Sequence, residues 1–106
     1  MSLLIKNVNV YHSGSMRFVP GAVLSRGGVI ERVYGEEDTL PESSCAFVVD
    51  GGGQYLVPGL VDTHTHGIAG GDFISASPEK MTEMARAYLR GGVTSVMPTL
   101  ASAPLE

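Results

Sequence analysis

At 106 residues, with a formal net charge of −4 and 43% hydrophobic residues, the chain has the composition of one globular, mildly acidic unit, which argues against a nucleic-acid partner. No apolar run approaches the roughly 20 residues of a membrane span, and Met1-Ser2-Leu3-Leu4-Ile5-Lys6 carries a strand pattern rather than a signal peptide. The single Cys45 excludes an internal disulfide and makes a reducing, cytoplasmic setting the default expectation.

From Leu3 to Tyr11, apolar Leu3, Ile5, Val8 and Val10 alternate imperfectly with polar residues, and the slip across Lys6-Asn7 predicts a bulge or short turn in one strand. A turn over residues 12 to 15 follows, and Phe18-Val19-Pro20-Gly21 leads into the next strand. Gly27-Gly28, between residues 22–26 and 29–34, supplies the positive φ angles of a tight hairpin. Residues 35 to 44 are acidic, polar and contain Pro41, so a surface loop is expected there. Residues 46 to 50 resume as a strand, which three glycines are expected to break before Tyr55-Leu56.

Val57-Pro58-Gly59-Leu60-Val61-Asp62-Thr63-His64-Thr65-His66-Gly67 reads as a buried parallel strand, entered through Pro-Gly, that delivers two imidazoles at its C-terminal end. Side chains alternate across a strand, so His64 and His66 should point one way together with Asp62 and Leu60. A glycine-rich loop runs to Phe73. Ser77 then offers a helix cap, with Pro78 at the first helical position and Glu79 in the first turn. Met81, Met84, Ala85, Tyr88 and Leu89 form the apolar stripe expected to lie on a sheet, with Glu79, Lys80, Glu83, Arg86 and Arg90 opposite. Gly91-Gly92 stops the helix. Residues 93 to 97 read as a strand closing at Pro98-Thr99, and residues 101 to 106 as the start of a further connection. The order is thus several short antiparallel strands, then strand, helix, strand, the latter predicting a βαβ unit with parallel strands.

These residues carry a resemblance. Tyr55-Leu-Val-Pro-Gly-Leu-Val-Asp-Thr-His-Thr-His66 resembles the opening signature of the amidohydrolase superfamily, metal-dependent hydrolases with a (β/α)8 barrel and a small β-sandwich. The continuation His66-Gly67-Ile68-Ala69-Gly70-Gly71-Asp72, with Gly92-Val-Thr-Ser-Val-Met-Pro-Thr99 downstream, is similar to the N-acetylglucosamine-6-phosphate deacetylases. The resemblance runs from Asp50 to Leu100 and is weaker before it. It implies an α/β fold with an all-β N-terminal part: β-sandwich strands over residues 1–56, then the first βαβ unit of an incomplete (β/α)8 barrel over residues 57–106. It implies that His64 and His66 are metal ligands for one or two divalent ions, zinc or iron. It also implies hydrolysis of the acetamide of a small amino-sugar phosphate to glucosamine 6-phosphate and acetate, and a homodimer.

A barrel of this kind takes roughly 250 residues, and a catalytic zinc usually takes three protein ligands. The expectation is therefore a portion of a longer enzyme, inactive alone, whose proton-handling aspartate lies beyond residue 106. Plainer readings stand beside these. A bare His-x-His favours core histidines bonded to backbone, but the Pro-Gly-Leu-Val-Asp-Thr frame favours metal. Asp62 either orients a histidine or caps a local turn. Asp72 contacts substrate or bonds its own loop's amides, the latter being favoured, and Thr99 ends a strand on the catalytic face or is an ordinary strand exit. The rival functions are another superfamily hydrolase, dihydroorotase-like or dipeptidase-like, and a non-catalytic β-rich module with a relic His-x-His.

Overall fold

The computed structural model describes residues 1–102, so residues 103–106 of the expected final connection lie outside the described residues. The chain forms two compact units, the first Met1–Pro58 and the second beginning at Gly59.

The first unit is a single four-stranded sheet in the order β3-β2-β1-β4, built from β1 (Ser2–His12), β2 (Arg17–Arg26), β3 (Val29–Gly35) and β4 (Phe47–Leu56). The hairpin expected at Gly27-Gly28 joins β2 to β3, both glycines having positive φ (61° and 85°) and Arg26 facing Val29. Among the described residues this segment, expected as sandwich strands, forms one sheet whose four strands pair edge to edge. Contrary to expectation, β4 pairs with β1 in parallel, Leu3 facing Phe47 and Val10 facing Leu56, rather than extending an antiparallel series.

The slip read at Lys6-Asn7 is a real bulge. Asn7 has φ 53°, and the pairing of β1 shifts there against both neighbours. The bulge has a packing consequence. Leu4, Ala22, Leu24 and Tyr34 form a buried cluster with Leu40 and Cys45 against it. Ile5 faces Val23 on the opposite side, and only because the bulge flips the alternation do Val8 and Val10 join that second cluster. The three glycines do not break β4. Gly52 and Gly53, at φ 58° and 76°, form a matching bulge opposite Asn7, so that Lys6 faces Asp50 and Val8 faces Gln54. Gly51 has to be glycine, since a Cβ there would collide with the Val8 side chain. The Asp50 carboxylate ties the two bulges together, accepting from the Asn7 side-chain amide and the Gly52 N–H, each at 2.9 Å. These bonds hold the carboxyl of Asp50 below the usual carboxylate range, the Gly52 N–H being the largest cause.

The second unit is a βαβ unit. β5 (Leu60–Thr65) and β6 (Val93–Pro98) pair in parallel, joined by α1 (Pro78–Arg90). Ser77 caps the helix as expected, its hydroxyl accepting from the Lys80 N–H at 3.2 Å, and Gly92 leaves it at φ 81°. Of the apolar stripe, Met84 and Tyr88 are buried, whereas Met81, Ala85 and Leu89 are exposed. Two strands are too narrow to cover a full helix face. Leu60, Val61 and Met97 are exposed on the strands for the same reason. No helix among the described residues is long and apolar enough to cross a membrane.

Candidate metal-binding strand end

β5 is shorter than the sequence pattern suggested. It ends at Thr65, so His64 is its penultimate residue and His66 the first residue beyond it. Alternation still decides which way the side chains go. Thr65 points to the helix, where its hydroxyl shares a hydrogen bond with the phenol of Tyr88. His64 and His66 flank it and stand exposed and side by side, ring centroids 5.2 Å apart and planes inclined at 73°. Leu60, Val61, Asp62, Thr63, His64 and Val93 line an open concavity of about 490 Å³ there.

The other residues singled out in the sequence are placed as follows. Asp62 is half-buried, and its carboxylate accepts from the backbone N–H of His64 at 3.1 Å. Asp72 accepts from the Ile74 N–H at 2.7 Å, so its carboxylate serves its own loop. Thr99 is joined to the strand end through its backbone, its N–H donating to the Thr65 carbonyl at 2.8 Å, while its hydroxyl donates to the Met97 carbonyl at 3.4 Å. The structure thus brings His64, His66 and Asp62 to one strand end and places Thr99 on the neighbouring one. Asp72 stays in the loop.

That loop is held in a defined shape. The His66 carbonyl accepts from the Phe73 N–H at 3.0 Å, and the Gly71 N–H donates to Ile68 at 2.9 Å. Gly67 and Gly71 approach so closely that a Cβ on Gly67 would strike the Gly71 carbonyl. Ala69, at φ 55°, turns its carbonyl toward the Lys80 ammonium at 2.8 Å, and the same ammonium pairs with Glu83 at 3.0 Å. Phe73 lies parallel to the Tyr88 ring, centroids 6.4 Å apart. Sequence reasoning assigned Lys80 to the solvent face and Tyr88 to the core, and gave neither a part in holding this loop. The one signal available was their position on the helix that directly follows the glycine-rich segment.

In donor chemistry the strand end fits a divalent ion in part. Two exposed imidazoles at this spacing are the right ligands for zinc or iron. Among the described residues, no group of three or more His, Cys, Asp or Glu side chains is arranged to hold one.

No family model matches the chain. It is 36% identical over 98 residues to an adenine deaminase of Clostridium perfringens, a match covering 92% of this chain and 16% of that protein. Over 53 residues it is 40% identical to an N-acetylgalactosamine-6-phosphate deacetylase of Escherichia coli O157:H7, covering 50% of this chain and 14% of the relative. The structure is similar to that of N-acetylglucosamine-6-phosphate deacetylase from Pasteurella multocida, with a TM-score of 0.81 at 23% identity, covering 98% of this chain and 27% of that one. At that identity the likeness speaks for the fold. The chain spans between 15% and 24% of the length of the first curated relatives it matches. By fold and by sequence, the chain matches the N-terminal part of amidohydrolase-superfamily proteins.

Proposed function

We propose that this chain provides the first metal ligands of a hydrolase that cleaves a carbon–nitrogen bond, of the type that deacetylates N-acetylglucosamine 6-phosphate. The observation that carries the reading is the pair of exposed imidazoles of His64 and His66 at one strand end, 5.2 Å apart. A structural role would have buried them or bonded them to backbone. The 40% identity over 53 residues to a sugar-phosphate deacetylase supports the same substrate class.

In this reading His64 and His66 hold a divalent ion, zinc or iron, which supplies Lewis acidity for polarising an amide carbonyl and activating water. Asp62 acts on His64 through its backbone N–H, fixing where the strand delivers the ring. The loop from Gly67 to Phe73 follows the strand end directly and closes on it through the Phe73 N–H, which donates to the His66 carbonyl. Any further ligand and the proton-handling group come from outside the described residues, in a protein of the relatives' length. The substrate is a small amino-sugar phosphate, the working form a homodimer and the compartment the cytoplasm.

A second reading is favoured by the longest of the sequence matches described above: a deaminase acting on a purine base, as in the relative that is 36% identical. The products separate the two. Protein of the relatives' length that carries this chain, loaded with zinc and given N-acetylglucosamine 6-phosphate or adenine, releases acetate from the first on the deacetylase reading, and ammonia from the second on the deaminase reading. Acetate release that is lost in His64→Ala supports the proposal. Ammonia from adenine without acetate from the sugar phosphate overturns it in favour of the second reading.

A further inference from the structure

Resting on the metal reading of His64 and His66, we infer that Tyr88 is a positioning residue for that pair, acting across the strand through Thr65. Tyr88 is buried on α1, and its phenol shares a hydrogen bond with the hydroxyl of Thr65, the residue between the two histidines. On an extended strand the side chain of Thr65 can turn to the helix only if those of its neighbours turn away from it. Fixing Thr65 therefore fixes the side on which both imidazoles stand. The same ring acts a second time. Phe73 lies parallel to it, and the Phe73 N–H holds the carbonyl of His66, the residue at which the strand has already ended.

His66 needs this more than His64 does. His64 lies inside β5 and is braced by the carboxylate of Asp62 at its backbone N–H. His66 lies past the last strand residue, where no ladder pairing sets its direction. The two contacts that set it, at Thr65 on one side and Phe73 on the other, converge on Tyr88. Metal ligands require orientation as well as presence, and partners one step removed from a ligand typically change affinity by roughly 10- to 100-fold when lost.

The experiment compares the wild-type chain with Tyr88→Phe, Thr65→Val, the double variant and His64→Ala/His66→Ala. Tyr88→Phe keeps the ring and its stacking on Phe73, and Thr65→Val keeps the volume of the side chain. In metal-free protein, nuclear Overhauser contacts between the His64 and His66 rings, with their Cε1–H shifts, report the pairing directly. The expected result is weaker ring-to-ring contacts and shifted His66 resonances in both single variants, with the double variant no worse than either. Ring contacts and shifts identical to wild type in Tyr88→Phe and Thr65→Val would overturn the inference whatever the metal result. Cobalt(II) titration of the same proteins, followed by its visible absorption, tests the underlying reading separately. Cobalt binding lost in the double-histidine variant and weakened roughly tenfold in Tyr88→Phe supports both. Cobalt binding unchanged in the double-histidine variant overturns the metal reading itself.

Discussion

At the scale of single residues, the strand end is built from close approaches that tolerate little change. Gly67 and Gly71 touch through backbone, so a methyl group at residue 67 must push the Gly71 carbonyl aside. Overpacking of this kind costs about 1–3 kcal/mol. Gly67→Ala is therefore expected to open the loop and release the Phe73 N–H from the His66 carbonyl. Hydrogen exchange at Phe73 should accelerate roughly tenfold or more while the amides of β1 and β2 keep their protection; an unchanged Phe73 rate would mean that the loop is not closed by this contact. The residues named in the sequence as site candidates differ in what made them legible. His64, His66 and Asp62 could be placed together because strand alternation is a local rule. Lys80 and Tyr88 could not be connected to them, because their contacts with Ala69 and Thr65 span 11 and 23 residues and depend on how the helix returns.

At the scale of elements, α1 is set by its ends and by two buried side chains. The Ser77 hydroxyl satisfies the Lys80 N–H, and Ser77→Ala should destabilise the second unit by about 1 kcal/mol, with Ser77→Gly costing only a few tenths. Met84, buried against Gly71, is the larger contribution. Met84→Ala is expected to cost about 2 kcal/mol, the low end for such a change because the thin unit around it can collapse into the space. Urea titration followed by circular dichroism checks both, and a Ser77→Ala effect larger than that of Met84→Ala would contradict this ranking. In the first unit, the hairpin at Gly27-Gly28 was readable because two glycines and short-range pairing are enough to define it. The parallel pairing of β4 with β1 was not, since it joins residues more than 40 positions apart and leaves no local pattern. The run of three glycines was misread for a related reason. In isolation it looks like a strand break, and only the Asn7 bulge beside it makes it a continuation.

At the scale of the whole molecule, the charged groups define a pH window of stability. Asp50 is held below the usual carboxylate range by the Gly52 N–H and the Asn7 amide, and Glu79 by its own backbone N–H and the Ser77 hydroxyl. A carboxyl depressed in the folded state adds stability that is present above its unfolded pKa and is lost as pH falls through the folded value. Lys6 is raised, first by its hydrogen bond to Glu42, so its contribution is complete below its unfolded pKa and is lost as pH rises through the folded one. The melting temperature should be flat between about pH 5 and 9, fall below about pH 4 and fall again above about pH 10. Asp50→Asn should flatten the acid limb. An acid limb of the same depth in that variant would assign it to other groups.

The exposed apolar residues on both units, among them Phe47 and Tyr55 on β4 and Val61 and Met97 on β5 and β6, belong to the same scale. Their positions follow from strand alternation, but whether they are covered depends on neighbours, which a local pattern does not encode. The chain spans a minor part of the length of the relatives it matches, and the reading of its function rests on one feature that all 102 described residues leave exposed: the two histidines at the end of β5. The direct test is zinc content by elemental analysis of purified protein of the relatives' length that carries this chain, beside its His64→Ala/His66→Ala variant, after equilibration with a small excess of zinc and removal of the unbound ion. Zinc retained by the wild type and lost in the variant is the result this account predicts. Equal zinc in both, or none in either, would contradict it and leave His64 and His66 without a metal to hold.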